Sequence, residues 1–153
     1  MKRKLVITVM VLLTLSLLAG YDVYRSGQFH IELVAMDPKE APADGQSPVR
    51  LQLRLTDSKG RPVEGHSLYA LPRGGGIMSA SRTLTDAEGE AVYTYYPYKA
   101  SALQPAKDIE VRIIDESNSI FFEINASTTV TIPLYKPDKE VKSNHNLNDI
   151  FGE

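Results

Sequence analysis

Residue types that commonly perform chemistry are few in this 153-residue chain, and they form no known catalytic pattern. The absence of cysteine excludes thiolate metal sites, a cysteine nucleophile, disulfides and lipidation at cysteine. The three histidines, His30, His66 and His145, fall in separate segments, so a shared metal site is not expected. Ser79 and Ser81 lack the glycine pattern of a nucleophile elbow. We therefore expect no catalytic residue, no metal ion, no cofactor and no enzymatic activity.

Acidic residues and glycines cluster where the chain is expected to turn. The acidic residues concerned are Asp44, Asp57, Asp86 and Glu88. Turn formation explains them without calcium, because short carboxylates accept hydrogen bonds from nearby backbone amides. Residues 74–76 are three glycines, but no Lys-Ser or Lys-Thr follows as in a phosphate-binding loop. With 17 basic and 19 acidic residues, the chain also lacks the cationic surface that nucleic acid requires. We expect neither nucleic acid nor a small-molecule substrate.

Tyrosines are the first candidates for a protein contact. Tyr96 and Tyr98 flank Pro97 at the expected end of a strand, and aromatic side chains are common anchors of protein interfaces. The alternative is that these tyrosines line the core and its rim, with their hydroxyl groups toward solvent.

The C-terminal tail, residues 135–153, supplies the second candidate. It is too polar to fold alone, but Leu147, Ile150 and Phe151 have the i, i+3, i+4 spacing of a helical apolar face. Either this segment becomes ordered on a partner, or it is an ordinary frayed terminus.

The N-terminus contains a basic cluster followed by an uncharged apolar run. Residues 5–24 would span roughly 30 Å as a helix, which matches the hydrocarbon thickness of a bilayer. By the positive-inside rule, residues 1–4 stay in the cytoplasm, residues 5–24 cross the cell membrane, and the chain after Tyr24 lies outside the cytoplasm, in the periplasm or at the cell surface. The residues expected at the membrane interfaces are Lys2, Arg3, Lys4, Tyr21 and Tyr24.

A cleaved secretory signal is the alternative explanation of this segment. Such signals end in an Ala-x-Ala pattern, whereas here Leu17 and Ala19 satisfy one of the two positions. An uncleaved single-pass anchor is therefore favoured over cleavage near Gly20.

After residue 28 the pattern changes to short alternating stretches separated by turns, which is typical of an all-β domain. Residues 49–56 alternate strictly between apolar and polar, and residues 120–133 are predicted to form the last strand. The strand number, about seven, predicts an immunoglobulin-like β-sandwich over residues 29–134, joined to the helix by a linker at residues 25–28.

Four sequence elements resemble the bacterial immunoglobulin-like group 1 domain of intimin and invasin adhesins. In order they are Ala43 to Ser47, Thr56 to Val63, Gly74 to Gly76 and Thr85 to Ala91. The resemblance implies a binding or spacer module outside the cytoplasm, without catalytic residues.

A single copy behind a short linker differs from the many-copy stalks of those adhesins. The linker holds the sandwich close to the membrane, which favours partners in the same membrane or just above it. We therefore expect a module that docks to or braces proteins of a bacterial envelope assembly, such as a secretion, appendage or transport complex. One alternative is a secreted or surface-displayed adhesin. Another is a sandwich enzyme or sugar-binding domain, against which the absence of tryptophan argues.

Overall fold

The computed structural model describes residues 2–137, which form one long helix followed by β-strands. In chain order the elements are α1 (Lys2–Ser26), β1 (Phe29–Asp37), β2 (Ala41–Pro42), β3 (Val49–Asp57), β4 (Ser67–Arg73), β5 (Ile77–Met78), β6 (Arg82–Leu84), β7 (Glu90–Tyr96), β8 (Ile109–Asp115), β9 (Ser127–Ile132) and β10 (Leu134–Tyr135). Seven of these ten strands have three or more residues, in agreement with the predicted number.

Helix α1 is long and apolar enough to cross a membrane, with a mean hydropathy of 2.0 over Arg3–Ser26. A signal sequence near the N-terminus can meet the same criteria of length and hydropathy. Its apolar side chains are exposed along its length, Leu17 by 74%. The helix includes Arg25 and Ser26, which were predicted to belong to the linker, so that only Gly27 and Gln28 separate the helix from β1.

The strands form two four-stranded antiparallel sheets, ordered β1-β3-β7-β5 and β6-β4-β8-β9. A short parallel pair, β10 and β2, completes the fold. Val34 is an extra residue between the β1 positions that pair with β3, which makes a bulge in this edge strand. An all-β sandwich was predicted, and the two sheets confirm it.

The core lies between the two sheets and is built from alternate residues of the central strands. Val49, Leu51, Leu53 and Leu55 of β3 are fully buried, as their alternation with polar residues predicted. The opposite sheet contributes apolar residues of β4, β8 and β9. The buried apolar residues of that sheet are Leu68, Ala70, Ile109, Val111, Ile113, Val130 and Ile132.

The last predicted strand was placed too early. Residues 120–126 are a loop, and β9 begins only at Ser127. The amides of Ile120, Phe121 and Phe122 donate to a side chain of α1, so they are not available to a strand ladder.

The sandwich has two distinguishable ends. At the helix-side end, β1 begins and β8 finishes, and the ring of Phe29 lies 5.0 Å from that of His66, just before β4. At the far end, β1 and β7 finish and β8 begins, close to the loop of residues 74–76. Each end carries a different group of the residues that could contact other molecules.

Candidate functional site

Asp22 joins the helix to the sandwich at the helix-side end. Its side chain has 0% exposure, although it belongs to a helix whose other side chains are mostly exposed. The carboxylate accepts hydrogen bonds from the amides of Ile120 (3.2 Å), Phe121 (2.8 Å) and Phe122 (2.6 Å), and from the hydroxyl of Ser119 (3.2 Å). We call this contact the Asp22 clamp.

The clamp holds the last turns of α1 against the loop between β8 and β9, which we call the 119–122 loop. The ring of Phe121 also packs edge-on against that of Tyr21, with centroids 6.2 Å apart and an interplanar angle of 65°. An ionised carboxylate that accepts several backbone hydrogen bonds is a strong local restraint, because each is assisted by charge. The helix and the sandwich are therefore linked by side-chain contacts as well as by Gly27 and Gln28.

Sequence reasoning did not identify Asp22. The sequence did contain one signal, because Asp22 is the single acidic residue of α1 and lies directly after the apolar run. An acid in that place needs hydrogen-bond partners, since a buried carboxylate is costly without them.

The predicted interface residues lie at both ends of α1. Arg3 and Lys4 are exposed near its start, while Tyr21 and Tyr24 are 48% and 66% exposed near its end. Lys2 is the first residue of the helix. The structure thus places the two tyrosines at the level of the Asp22 clamp.

Tyr96 and Tyr98 are both half-buried and lie at the far end of the sandwich. The length of the sandwich therefore separates them from Tyr21 and Tyr24. Tyr96 pairs with Ile77 of β5, whose side chain is 67% exposed. The Tyr98 hydroxyl donates to the Pro105 carbonyl (2.7 Å) and accepts from the Lys107 amide (3.0 Å). Tyr98 therefore packs against the core and holds its own loop in place, whereas Tyr96 lies beside the exposed side chain of Ile77.

The chain approaches its C-terminal tail at this same far end. The Ala43 amide donates to the Tyr135 carbonyl of β10 (2.9 Å), and the Ala100 amide donates to the Ala43 carbonyl (2.8 Å). These bonds place β10 beside the segment that follows Tyr98. The candidate tail residues Leu147, Ile150 and Phe151 lie outside the described residues.

Several ionisable side chains in the described part of the chain form pairs. Nδ1 of His66 lies 2.8 Å from Oδ2 of Asp115, whose side chain is completely buried. Within residues 2–137 no group of three or more histidine or acidic residues is close enough to hold a metal ion. The predicted turn role of the acidic residues is seen at Asp44, which accepts from the amides of Gln46 and Ser47, both at 2.8 Å.

Comparison with solved structures finds similar folds in intimin. The D0-D1 domains of intimin have 16% identity and a TM-score of 0.47, covering 68% of this chain and 49% of that one. The D00-D0 domains have 14% identity and a TM-score of 0.48, covering 67% and 48%. A C-terminal 282-residue intimin fragment, solved in complex with the intimin-binding domain of the translocated intimin receptor, has 15% identity and a TM-score of 0.51, covering 69% and 33%.

The present chain thus spans about half of the length of the first two intimin structures. At these identities the likeness concerns the fold. Comparison with individually curated protein sequences gives no match. The family model described as the bacterial Ig-like domain (group 1) matches residues 32–131, which is more than half of the chain and includes β3 through β8. The chain therefore belongs to the bacterial Ig-like domain (group 1) family.

Proposed function

We propose that this chain is a non-enzymatic, single-pass membrane protein whose Ig-like domain lies outside the cytoplasm and docks to or braces proteins of a bacterial envelope assembly. The observation that carries the proposal is the Asp22 clamp. A sandwich bonded to the end of its own membrane helix is kept at the membrane surface, where its partners must also lie.

The far end of the sandwich is the proposed contact surface. It presents Tyr96 and Ile77, it is the end farthest from the anchor, and the tail begins beside it. An aromatic side chain next to an exposed aliphatic one is a common composition for the centre of a protein interface. Leu147, Ile150 and Phe151 of the tail would add a second apolar contact to the same partner.

The alternative, a secreted or surface-displayed adhesin, draws on the intimin-like fold and on the resemblance of α1 to a signal sequence. It requires that α1 be cut near Gly20. Asp22 would remain after such a cut, but the clamp would then hold only residues 21–26 against the sandwich and would no longer join it to a membrane helix.

The test is purification of the full-length chain from membranes in mild detergent, followed by mass spectrometry of the proteins that accompany it. We expect stoichiometric membrane proteins to be recovered with the chain. Tyr96→Ala, or truncation after residue 137, should reduce their recovery. Val92→Ala is the matched control, because Val92 is also exposed on β7 but lies nearer the helix-side end.

Recovery of the chain alone and monomeric would contradict the assembly proposal. N-terminal sequencing of the mature chain separates the two functions, because a chain that begins beyond residue 20 and is found free in the medium supports the adhesin instead.

A further inference from the structure

Three consecutive apolar side chains are exposed in the 119–122 loop. Ile120 is 56% exposed, Phe121 48% and Phe122 43%. These side chains do not pack into the core of the sandwich. Contiguous exposed apolar surface usually marks a site of contact with another apolar surface or with lipid.

Three backbone amides of this loop already have hydrogen-bond partners within the protein, as a medium of low polarity requires. The amides of Ile120, Phe121 and Phe122 all donate to the buried carboxylate of Asp22. Near hydrocarbon, a backbone donor without a partner is costly because no water is available to replace it. The clamp satisfies these three donors, while the side chains of the same residues stay directed outward.

The position of the loop identifies the apolar phase. Phe121 packs against Tyr21, the last residue of the uncharged run of α1, at the level where the helix would leave the hydrocarbon. Tyrosine and other aromatic residues concentrate at that level of a bilayer, where one part of the ring is apolar and its surroundings are polar.

We propose that Ile120, Phe121 and Phe122 insert into the outer interface of the same bilayer that α1 crosses, and so form a second membrane contact. The occupant of this surface is lipid, because the apolar loop is continuous with the exposed apolar side of the helix. With the helix as the one membrane contact, the helix and the sandwich clamped to it could tilt and rotate together in the bilayer, whereas a second contact fixes the orientation of the sandwich relative to the membrane. Glu123, the exposed acidic residue directly after Phe122, then lies at the level of the lipid headgroups. This inference rests on the proposed membrane anchoring.

The absence of tryptophan from the chain makes a direct test possible, since each introduced tryptophan is a unique fluorescent reporter. Three full-length variants, Val11→Trp, Phe122→Trp and Leu103→Trp, are reconstituted in phosphatidylcholine vesicles with bromine on shallow acyl-chain carbons. Val11 lies within α1 and reports insertion of the helix. Leu103 is 99% exposed in the loop before β8, at the far end, and is the matched control.

We expect the tryptophan of Phe122→Trp to lose roughly half of its emission, because interfacial side chains lie about 5 to 10 Å deep, within reach of shallow bromines. Its emission should also shift to shorter wavelength than that of Leu103→Trp, which should not be quenched by lipid. Ile120→Trp provides a second reporter in case the Phe122 substitution disturbs the loop, and it should behave in the same way.

The outcomes separate this inference from the anchoring on which it rests. If Val11→Trp is quenched but both loop reporters behave like Leu103→Trp, the second contact is wrong and the anchor stands. If the loop reporters are shielded from both brominated lipid and aqueous iodide, a protein covers the loop and the lipid contact is wrong. If Val11→Trp itself is not quenched, helix insertion and the second contact are both wrong.

Discussion

Two tyrosine hydroxyls in the core bond to backbone carbonyls of neighbouring segments. Tyr93 donates to the Leu68 carbonyl at 2.5 Å, and Tyr95 donates to the Gly75 carbonyl at 3.1 Å. Burial raises the pKa of each tyrosine to about 12, so both stay protonated and able to donate at neutral pH. They stabilise the sandwich as structural residues, and the perturbed pKa values do not indicate catalysis.

Asp57 makes the stability of the turn after β3 depend on pH. Hydrogen bonds from the Arg61 amide and then from the Arg61 side chain lower the pKa of Asp57 from 3.8 to about 2. A carboxyl group with a lowered folded-state pKa stabilises the fold above its unfolded pKa and loses that effect as the pH falls through the folded value. We expect Asp57→Asn to be less stable than wild type at neutral pH, with the difference shrinking between pH 3.8 and about 2.

Urea unfolding in mild detergent, followed by near-UV circular dichroism across this range, measures the difference. Arg61→Ala is the partial control, because it removes the side-chain bond and keeps the backbone bonds from Lys59 and residue 61. A difference between wild type and Asp57→Asn that is constant with pH would contradict the assignment.

Gly89 and Gly60 allow steric crowding to be separated from backbone strain. Both have positive φ, 72° and 74°, where alanine is strained by about 1 to 2 kcal/mol. A Cβ at Gly89 would lie 2.5 Å from the Leu55 carbonyl oxygen and 3.0 Å from the Val63 amide nitrogen, whereas a Cβ at Gly60 would meet nothing within 4 Å. We expect Gly89→Ala to cost about 1 to 3 kcal/mol more than Gly60→Ala in the free energy of unfolding. Urea titration of both variants measures these free energies. Equal costs for the two variants would contradict the prediction and would show that the backbone around Gly89 moves to accommodate the added Cβ.

At the scale of elements, the contact between α1 and the 119–122 loop distinguishes this chain from a sandwich on a free tether. The helix continues to Ser26, and the clamp forms four residues earlier, within its last turns. Because the 119–122 loop lies between β8 and β9, the clamp directly restrains these two strands at the helix-side end of their sheet. The loop and the helix are thus expected to move together.

Asp22→Asn tests the clamp with a side chain of nearly the same size. Ser119, Phe121 and Phe122 donate to one carboxylate oxygen, Oδ2, and Ile120 donates to the other, Oδ1. The amide has one oxygen in place of two, and its NH2 group would face donors of the loop, so the four bonds cannot all be kept. We expect the amides of residues 120–122 to exchange with solvent about tenfold faster or more, with little change at β3 in the core. Hydrogen exchange followed by mass spectrometry measures both regions. Asp44→Asn, in the turn after β2, is the control and should leave hydrogen exchange at residues 120–122 unchanged.

At the scale of the whole molecule, membrane attachment and partner contact are proposed for opposite ends of one sandwich. α1, the Asp22 clamp and the exposed apolar loop occupy the helix-side end, while Tyr96, Ile77 and the start of the tail occupy the far end. A rigid sandwich between two such ends would hold a bound partner at a constant height above the membrane. Under the proposed function, this arrangement favours a bracing role over long reach.

The sequence by itself determined the elements whose signals are local. The uncharged run of α1 and the period-two alternation of residues 49–56 are each complete within one element, so helix and strand could be predicted from neighbouring residues alone. The turn motifs around Asp57 and Gly89 likewise carried the family resemblance, because each turn is specified by the few residues that form it.

Only the tertiary structure decided where the 119–122 loop lies and what Asp22 does. Exposed Ile120, Phe121 and Phe122 have the same apolar character as strand residues, so local pattern assigned them to β9. The bonds of the clamp join residues separated by 97 to 100 positions, and no window of neighbouring residues contains both partners. Contacts of that separation depend on how the sheets bring the helix and the loop together, which is a property of the packed chain.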